Sequence, residues 1–175
     1  MSTHDPTERG RWIRSAVERY EGPLLRYAAR LTGNLDLGRD VVQDTFLRLC
    51  REDRANVDGH LAEWLFTVCR NRALDVRRKE KRMISITPRQ AATQESGEHD
   101  QAAVAETRDD ADRVRRFLRG LPENQQEVVR LKFQNGLSYR EISRVTELSV
   151  GNVGYLIHVA IQTIRKEFQV DARPQ

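Results

Sequence analysis

The sequence predicts an all-α protein: two small helical bundles joined by a flexible linker, the second bundle containing a helix-turn-helix. Three observations predict it. Apolar residues recur at the helical period of about 3.6 residues along most of the chain, with no sustained alternation to mark a strand. Of 175 residues, 38% are hydrophobic and only 6% aromatic, which suits two small cores better than one large one. Between the two apolar-patterned regions lies a stretch rich in Gln, Ala, Glu and Asp with almost no large apolar residue.

Trp12, Ile13, Val17 and Tyr20 open the first helix. Gly22-Pro23 predicts an interruption, the pattern resumes from Leu24 to Leu31, and Thr32-Gly33-Asn34 reads as a stop. Leu37 to Arg51 is the next helix, with Val42, Phe46 and Leu49 on one face, and Glu52 to Gly59 reads as a polar loop. His60 to Arg82 is a long helix with Leu61, Leu65 and Val68 facing inward. These pieces make a first bundle over residues 8–82. Residues 83–106 contain Pro88 and Gly97 and too little apolar surface to offset the entropy of ordering, so they read as a mobile acidic and polar linker.

The second bundle is expected over residues 107–170. Val114, Phe117, Leu118 and Leu121 form a helical stripe, and Pro122 stands where a first-turn proline is tolerated. Val128, Val129, Leu131 and Phe133 carry a helix that Gly136 ends. Ser138-Tyr-Arg-Glu141 is a capping-box pattern, with Ile142 and Val145 as the buried side of a short helix. A tight turn at Thr146–Ser149 follows, and Ser149 caps a long final helix that ends near Phe168.

Charge is distributed unevenly. The formal net charge is +4, but Arg70–Arg82 reads RNRALDVRRKEKR and Glu95–Asp112 is mostly acidic and polar, which suggests a nucleic-acid face beside a solvated linker. Cys50 and Cys69 form no C-x-x-C pair, and the four histidines at 4, 60, 99 and 158 lack ligand spacing. No nucleotide-binding loop is present, so neither a metal, a cofactor nor enzymatic catalysis is expected. With no long apolar run and no leader-like amino terminus, the chain reads as cytoplasmic and not inserted in a membrane.

A short capped helix, a tight turn and a long second helix make a helix-turn-helix, in which the first helix braces on the DNA backbone and the second enters the major groove. Ser138, Tyr139 and Arg140, at the start of the first of these helices, are placed to hold phosphates.

Four segments in this order resemble the extracytoplasmic-function (ECF) group of the sigma-70 family: DVVQDTFLRL at 40–49, EWLFTVCRNRALDVRR at 63–78, LRGLPENQQEVVRLKF at 118–133 and GLSYREISRVTELSVGNV at 136–153. The resemblance covers residues 10–82 and 107–168. It implies that the first bundle is region 2, which binds the β′ clamp helices of RNA polymerase and opens the −10 element. It implies that the second is region 4, which binds the β flap and reads the −35 element. An anti-sigma factor is the regulator that the family implies.

Carried over by position, Asp40, Gln43 and Asp44 would meet the polymerase; i, i+3 and i+4 neighbours share one side of a helix. Arg70, Asn71, Arg72, Arg77 and Arg78 would line the −10 strand, the arginines neutralising phosphates. Phe66 is a candidate stacking platform for an unpaired base, whereas Trp64 reads as core. The loop at 52–59 stands where the family holds an everted −10 base. In region 4, Asn152, Gly154, Tyr155 and His158 would face bases of the −35 element alongside Ser138, Tyr139 and Arg140.

Two departures from the family pattern stand out. Arg39 occupies a position that is usually acidic, which weakens the match to a basic clamp. The final helix carries Val153, Leu156, Ile157, Val159, Ala160, Ile161 and Ile164 where cations are usual, so it either seeks a partner or packs inside its bundle. The competing functional reading is a conventional helix-turn-helix transcriptional regulator whose first bundle senses or dimerises.

Overall fold

The computed structural model describes residues 6–86 and 114–171, which belong to two separate units. All regular structure among the described residues is helical. The first unit contains α1 (Pro6–Thr32), α2 (Leu35–Arg51), α3 (Arg54–Val57) and α4 (Leu61–Ile86), with α1, α2 and α4 packed on one another.

Helix α1 runs unbroken through Pro23, contrary to the interruption expected there. A mid-helix proline forfeits one backbone hydrogen bond. Here the flanking turns are locked in the core by Ala16, Leu24, Tyr27 and Ala28, all buried, so packing outweighs the local penalty. The helix stops where expected. Gly33 takes a left-handed φ of 73° and donates its amide to the Ala29 carbonyl at 2.9 Å. Asn34 then caps α2, its side-chain oxygen accepting from the amides of Asp36 and Leu37.

Helix α2 buries Val41, Val42, Thr45 and Leu49, while Phe46 is half-buried. The segment after it is more ordered than a polar loop. Asp53 accepts from the Ala55 amide and starts the single turn α3, whose Val57 is wholly buried and anchors the connection. Helix α4 turns Leu65, Phe66, Cys69 and Ala73 inward; Leu61 and Val68 are only half-buried. Burial pushes the Cys69 thiol up to about 12, against a hydrogen bond with Thr45 that lowers it. Helix α4 continues to Ile86, so residues 83–86, the first of the expected linker, are helical. The rest of the expected linker, and the start of the second bundle at 107–113, lie outside the described residues.

The second unit contains α5 (114–120), α6 (Glu123–Phe133), α7 (Tyr139–Thr146) and α8 (Val150–Asp171). Leu118, Leu121, Val129 and Ala160 form one buried cluster with Ile164 packed against it, so α5, α6 and α8 share a core. Pro122 sits at the cap position of α6 rather than inside its first turn. Phe133 was expected in the core but is 61% exposed. It follows Val129 by one turn on the same face, at the end of α6, where no described element covers it.

The capping box at Ser138 is complete. Its backbone amide donates to the Glu141 carboxylate at 2.6 Å, and its hydroxyl accepts from the Glu141 amide at 3.3 Å. Glu147 makes the turn to α8 in the left-handed region at φ 62°, and Ser149 accepts from the Asn152 amide as the cap of α8. The apolar run of α8 is mostly core: Val153, Leu156, Ile157 and Ala160 are buried, and Val159, Ile161 and Ile164 are half-buried. The helix is therefore no free apolar surface awaiting a partner; of the two readings open from the sequence, packing within the bundle is the one observed.

Candidate nucleic-acid interface

In the first unit, burying Val41, Val42, Thr45 and Leu49 of α2 turns the opposite side outward. Asp40 and Gln43 are exposed there, Asp44 is half-buried, and Leu47 follows one turn on at 55% exposure. The three polar residues thus share a face, as the i, i+3, i+4 spacing predicts. Arg39 is exposed beside them, its guanidinium 2.7 Å from the Asp36 carboxylate in an exposed i,i+3 pair.

Asp44 is itself engaged. Arg72 of α4 donates its Nε to the Asp44 carboxylate at 2.7 Å, joining a residue of the α2 face to the basic helix. No sequence signal marks this pair, whose members are 28 positions apart.

Along α4, Asn71 and Arg78 are exposed and Arg70, Arg72 and Arg77 half-buried, so the helix presents cations over two turns. Arg78 also approaches Asp75 at 3.5 Å, an exposed pair of little energetic weight. Phe66 does not join this surface. Its ring is 1% exposed and meets Tyr27 edge-on at 5.3 Å between centroids. A base could stack on it only by opening the core. Trp64, expected in the core, is instead half-buried.

The turn around α3 is held from α1. Arg9 donates to the carbonyls of Cys50 and Glu52 at 2.9 and 2.8 Å, and Arg54 pairs with Glu8 at 3.1 Å while lying over the Trp12 ring. Sequence reasoning missed this clasp, since Arg9 and Trp12 carry no motif that points forty residues ahead.

In the second unit, Tyr139 and Arg140 are exposed at the start of α7. The Ser138 hydroxyl is occupied as a cap, and the Glu141 carboxylate stands at the same helix end. The Ser138 side chain is thus committed to the cap, whereas the Tyr139 and Arg140 side chains are exposed beside it. The Ser138 capping bonds hold Glu141 below the usual carboxylate range, its side-chain contact first and the backbone contact next.

On α8, Asn152, Tyr155 and His158 follow one another at three-residue steps and are all exposed, Tyr155 by 65%. Gly154 is half-buried: the Tyr139 ring lies beside it, and an added Cβ would stand 3.6 Å from the ring edge, an ordinary van der Waals distance. Lys132 of α6 stands 5.4 Å from the centre of the same ring. The Nε2 of His158 lies 3.4 Å from the Gln162 side chain. Among the described residues no group of three or more His, Cys, Asp or Glu side chains could hold a metal ion, and no helix is long and apolar enough to cross a membrane.

Two family descriptions match the chain, Sigma-70 region 2 over residues 16–83 and Sigma-70 region 4 over residues 111–164. The ECF RNA polymerase sigma factor EcfG of Rhodopseudomonas palustris is 30% identical over 151 residues, covering 85% of this chain and 81% of that protein. SigL of Mycobacterium tuberculosis is 29% identical over 163 residues, covering 90% and 89%. Among solved structures, the sigma factor RpoE of Bartonella quintana, in complex with the anti-sigma factor NepR, shares the fold with a TM-score of 0.70 at 20% identity, over 90% of this chain and 97% of that one. CnrH, in complex with the cytosolic domain of CnrY, matches with a TM-score of 0.57 at 26% identity, over 93% and 91%. The chain belongs to the ECF group of the sigma-70 family of RNA polymerase sigma factors.

Proposed function

We propose that this sigma factor binds core RNA polymerase through the exposed side of α2, with Asp40 and Gln43 as the principal contacts and Asp44 as a third. The observation that carries the reading is that α2 buries Val41, Val42, Thr45 and Leu49 on one side while Asp40, Gln43 and Asp44 line an outward, hydrogen-bonding side. Such a face complements a basic partner helix in sign and in donor–acceptor character.

The −10 strand would lie along α4, where Arg70, Arg72, Arg77 and Arg78 neutralise phosphates and Asn71 offers a hydrogen-bonding amide to a base or sugar. Capture of the unpaired strand then draws the melting equilibrium toward the open state by binding energy alone. Nucleotide chemistry would belong to the polymerase, with this chain contributing binding energy. In the second unit, Tyr139 and Arg140 would brace on the backbone at the −35 element while Asn152, Tyr155 and His158 face base edges. Gly154, half-buried beside the Tyr139 ring, is a weaker candidate for a base contact. The protein acts in the cytoplasm, and an anti-sigma protein is its proposed regulator, because one structural relative was solved in complex with an anti-sigma factor and another with the cytosolic domain of a second protein.

Run-off transcription with core polymerase on a promoter library tests the reading. Specific transcripts that require this chain support it. Binding to a defined DNA site without polymerase, and no transcript with it, would favour the helix-turn-helix regulator instead.

A further inference from the structure

We propose that the Asp44–Arg72 pair is an exchange latch between the polymerase face and the −10 DNA face. In the free protein the pair is closed. A polymerase cation that takes Asp44 hands Arg72 over to a DNA phosphate. The inference rests on the assignment of α2 to the polymerase and α4 to DNA.

Each partner of the pair belongs to a different surface. Asp44 completes the outward stripe begun by Asp40 and Gln43 on α2, and Arg72 sits beside exposed Asn71 on the cationic helix α4. The bond between them is short at 2.7 Å but single, through Nε alone, and not the two-point contact that makes Arg–carboxylate pairs strong. Both side chains remain partly in water, Arg72 at 33% and Asp44 at 42% exposure. A pair of this kind opens at little cost. Neither group would be stranded in the core when the other is drawn away, as a fully buried partner would be. While closed, the pair withholds one cation from DNA and half-occupies one carboxylate of the polymerase face. Each partner's arrival therefore favours the other's, and the coupling is reciprocal.

The test uses the full-length free protein and a short single-stranded oligothymidylate, because a phosphate contact needs no particular base. Asp44→Asn releases Arg72 and is expected to bind the oligonucleotide about two- to fivefold more tightly than wild type. The slope of log affinity against log salt should steepen by about 0.7 for the phosphate gained. Asp40→Asn removes an equal charge one turn away without releasing Arg72, and should give less than half that gain. Adding Arg72→Gln to Asp44→Asn should erase it. Asp44→Ser repeats the release with a different side chain, and melting curves identify which variant is folded. Equal affinity and slope in a folded Asp44 variant and wild type overturn the latch. So does an Asp40→Asn gain as large as that of Asp44→Asn, which would mark a general charge effect. Co-elution with core polymerase is measured separately. A chain that shows the latch but never binds polymerase refutes the assignment of α2 and leaves the pair standing.

Discussion

Gly38 of α2 lies directly against the backbone of Ala29 in α1: a Cβ built on Gly38 would fall 2.7 Å from the Ala29 nitrogen and 2.9 Å from its Cα. The obstruction is main chain and not a flexible side-chain tip, so it has no room to yield. A single methyl group must push α1 and α2 apart and with them the register of the outward α2 face. Gly38→Ala should therefore destabilise the first unit by roughly 1–3 kcal/mol despite the better helix propensity of alanine. Chemical denaturation monitored by circular dichroism checks it, and an unchanged midpoint would contradict the close approach.

Neighbouring positions on α8 should respond in opposite ways. Leu156 is 6% exposed and Tyr155 is 65% exposed. Leu156→Arg would bury an unpaired charge and should cost on the order of 3 kcal/mol or more, enough to unfold a small unit. Tyr155→Ala should leave the melting temperature within a few degrees of wild type while weakening binding of duplex −35 DNA. A folded Leu156→Arg variant would restore the partner-seeking reading of this helix.

The capping box at α7 gives a pH dependence of known sign. Ser138 lowers the pKa of Glu141 in the folded state relative to its ordinary value of 4.5. A depressed carboxylate contributes stability that is fully present above the unfolded value and is lost as pH falls through the folded one. Glu141→Gln keeps a hydrogen-bonding side chain but removes the charge. Its deficit against wild type should thus be constant at neutral pH, on the order of the ~1 kcal/mol of a cap or less, and should vanish toward strongly acidic pH. Denaturation midpoints across pH 2–7 measure the difference, and a deficit that grows in acid would contradict the assignment.

Local chemistry made much of this fold legible. The stop at Gly33, the capping box at Ser138 and Glu141, and the buried stripe of Ile142 and Val145 are each written within a few residues. What escaped depends on contacts distant in sequence. Pro23 reads as a break because its penalty is local, while the packing of Leu24, Tyr27 and Ala28 that overrides it is tertiary. Phe66 is core and Trp64 half-buried, the reverse of the expected order, because helix period alone does not say which of two nearby aromatic rings meets Tyr27. The α2 stripe was visible in its spacing, but the engagement of Asp44 with Arg72 was not.

That engagement also decides how the polymerase face should be probed. Lysine at position 44 would also break the pair with Arg72 and so mix two effects, whereas Asp40 and Gln43 are exposed and stand apart from that pair. The most direct test of the central claim is the affinity of the full-length Asp40→Lys, Gln43→Lys double variant for core RNA polymerase, measured beside wild type with melting curves for both. Wild type should bind, and the variant should keep its melting temperature while losing at least tenfold in affinity, about 1.4 kcal/mol. A folded double variant that binds core polymerase as tightly as wild type would contradict the assignment of this face.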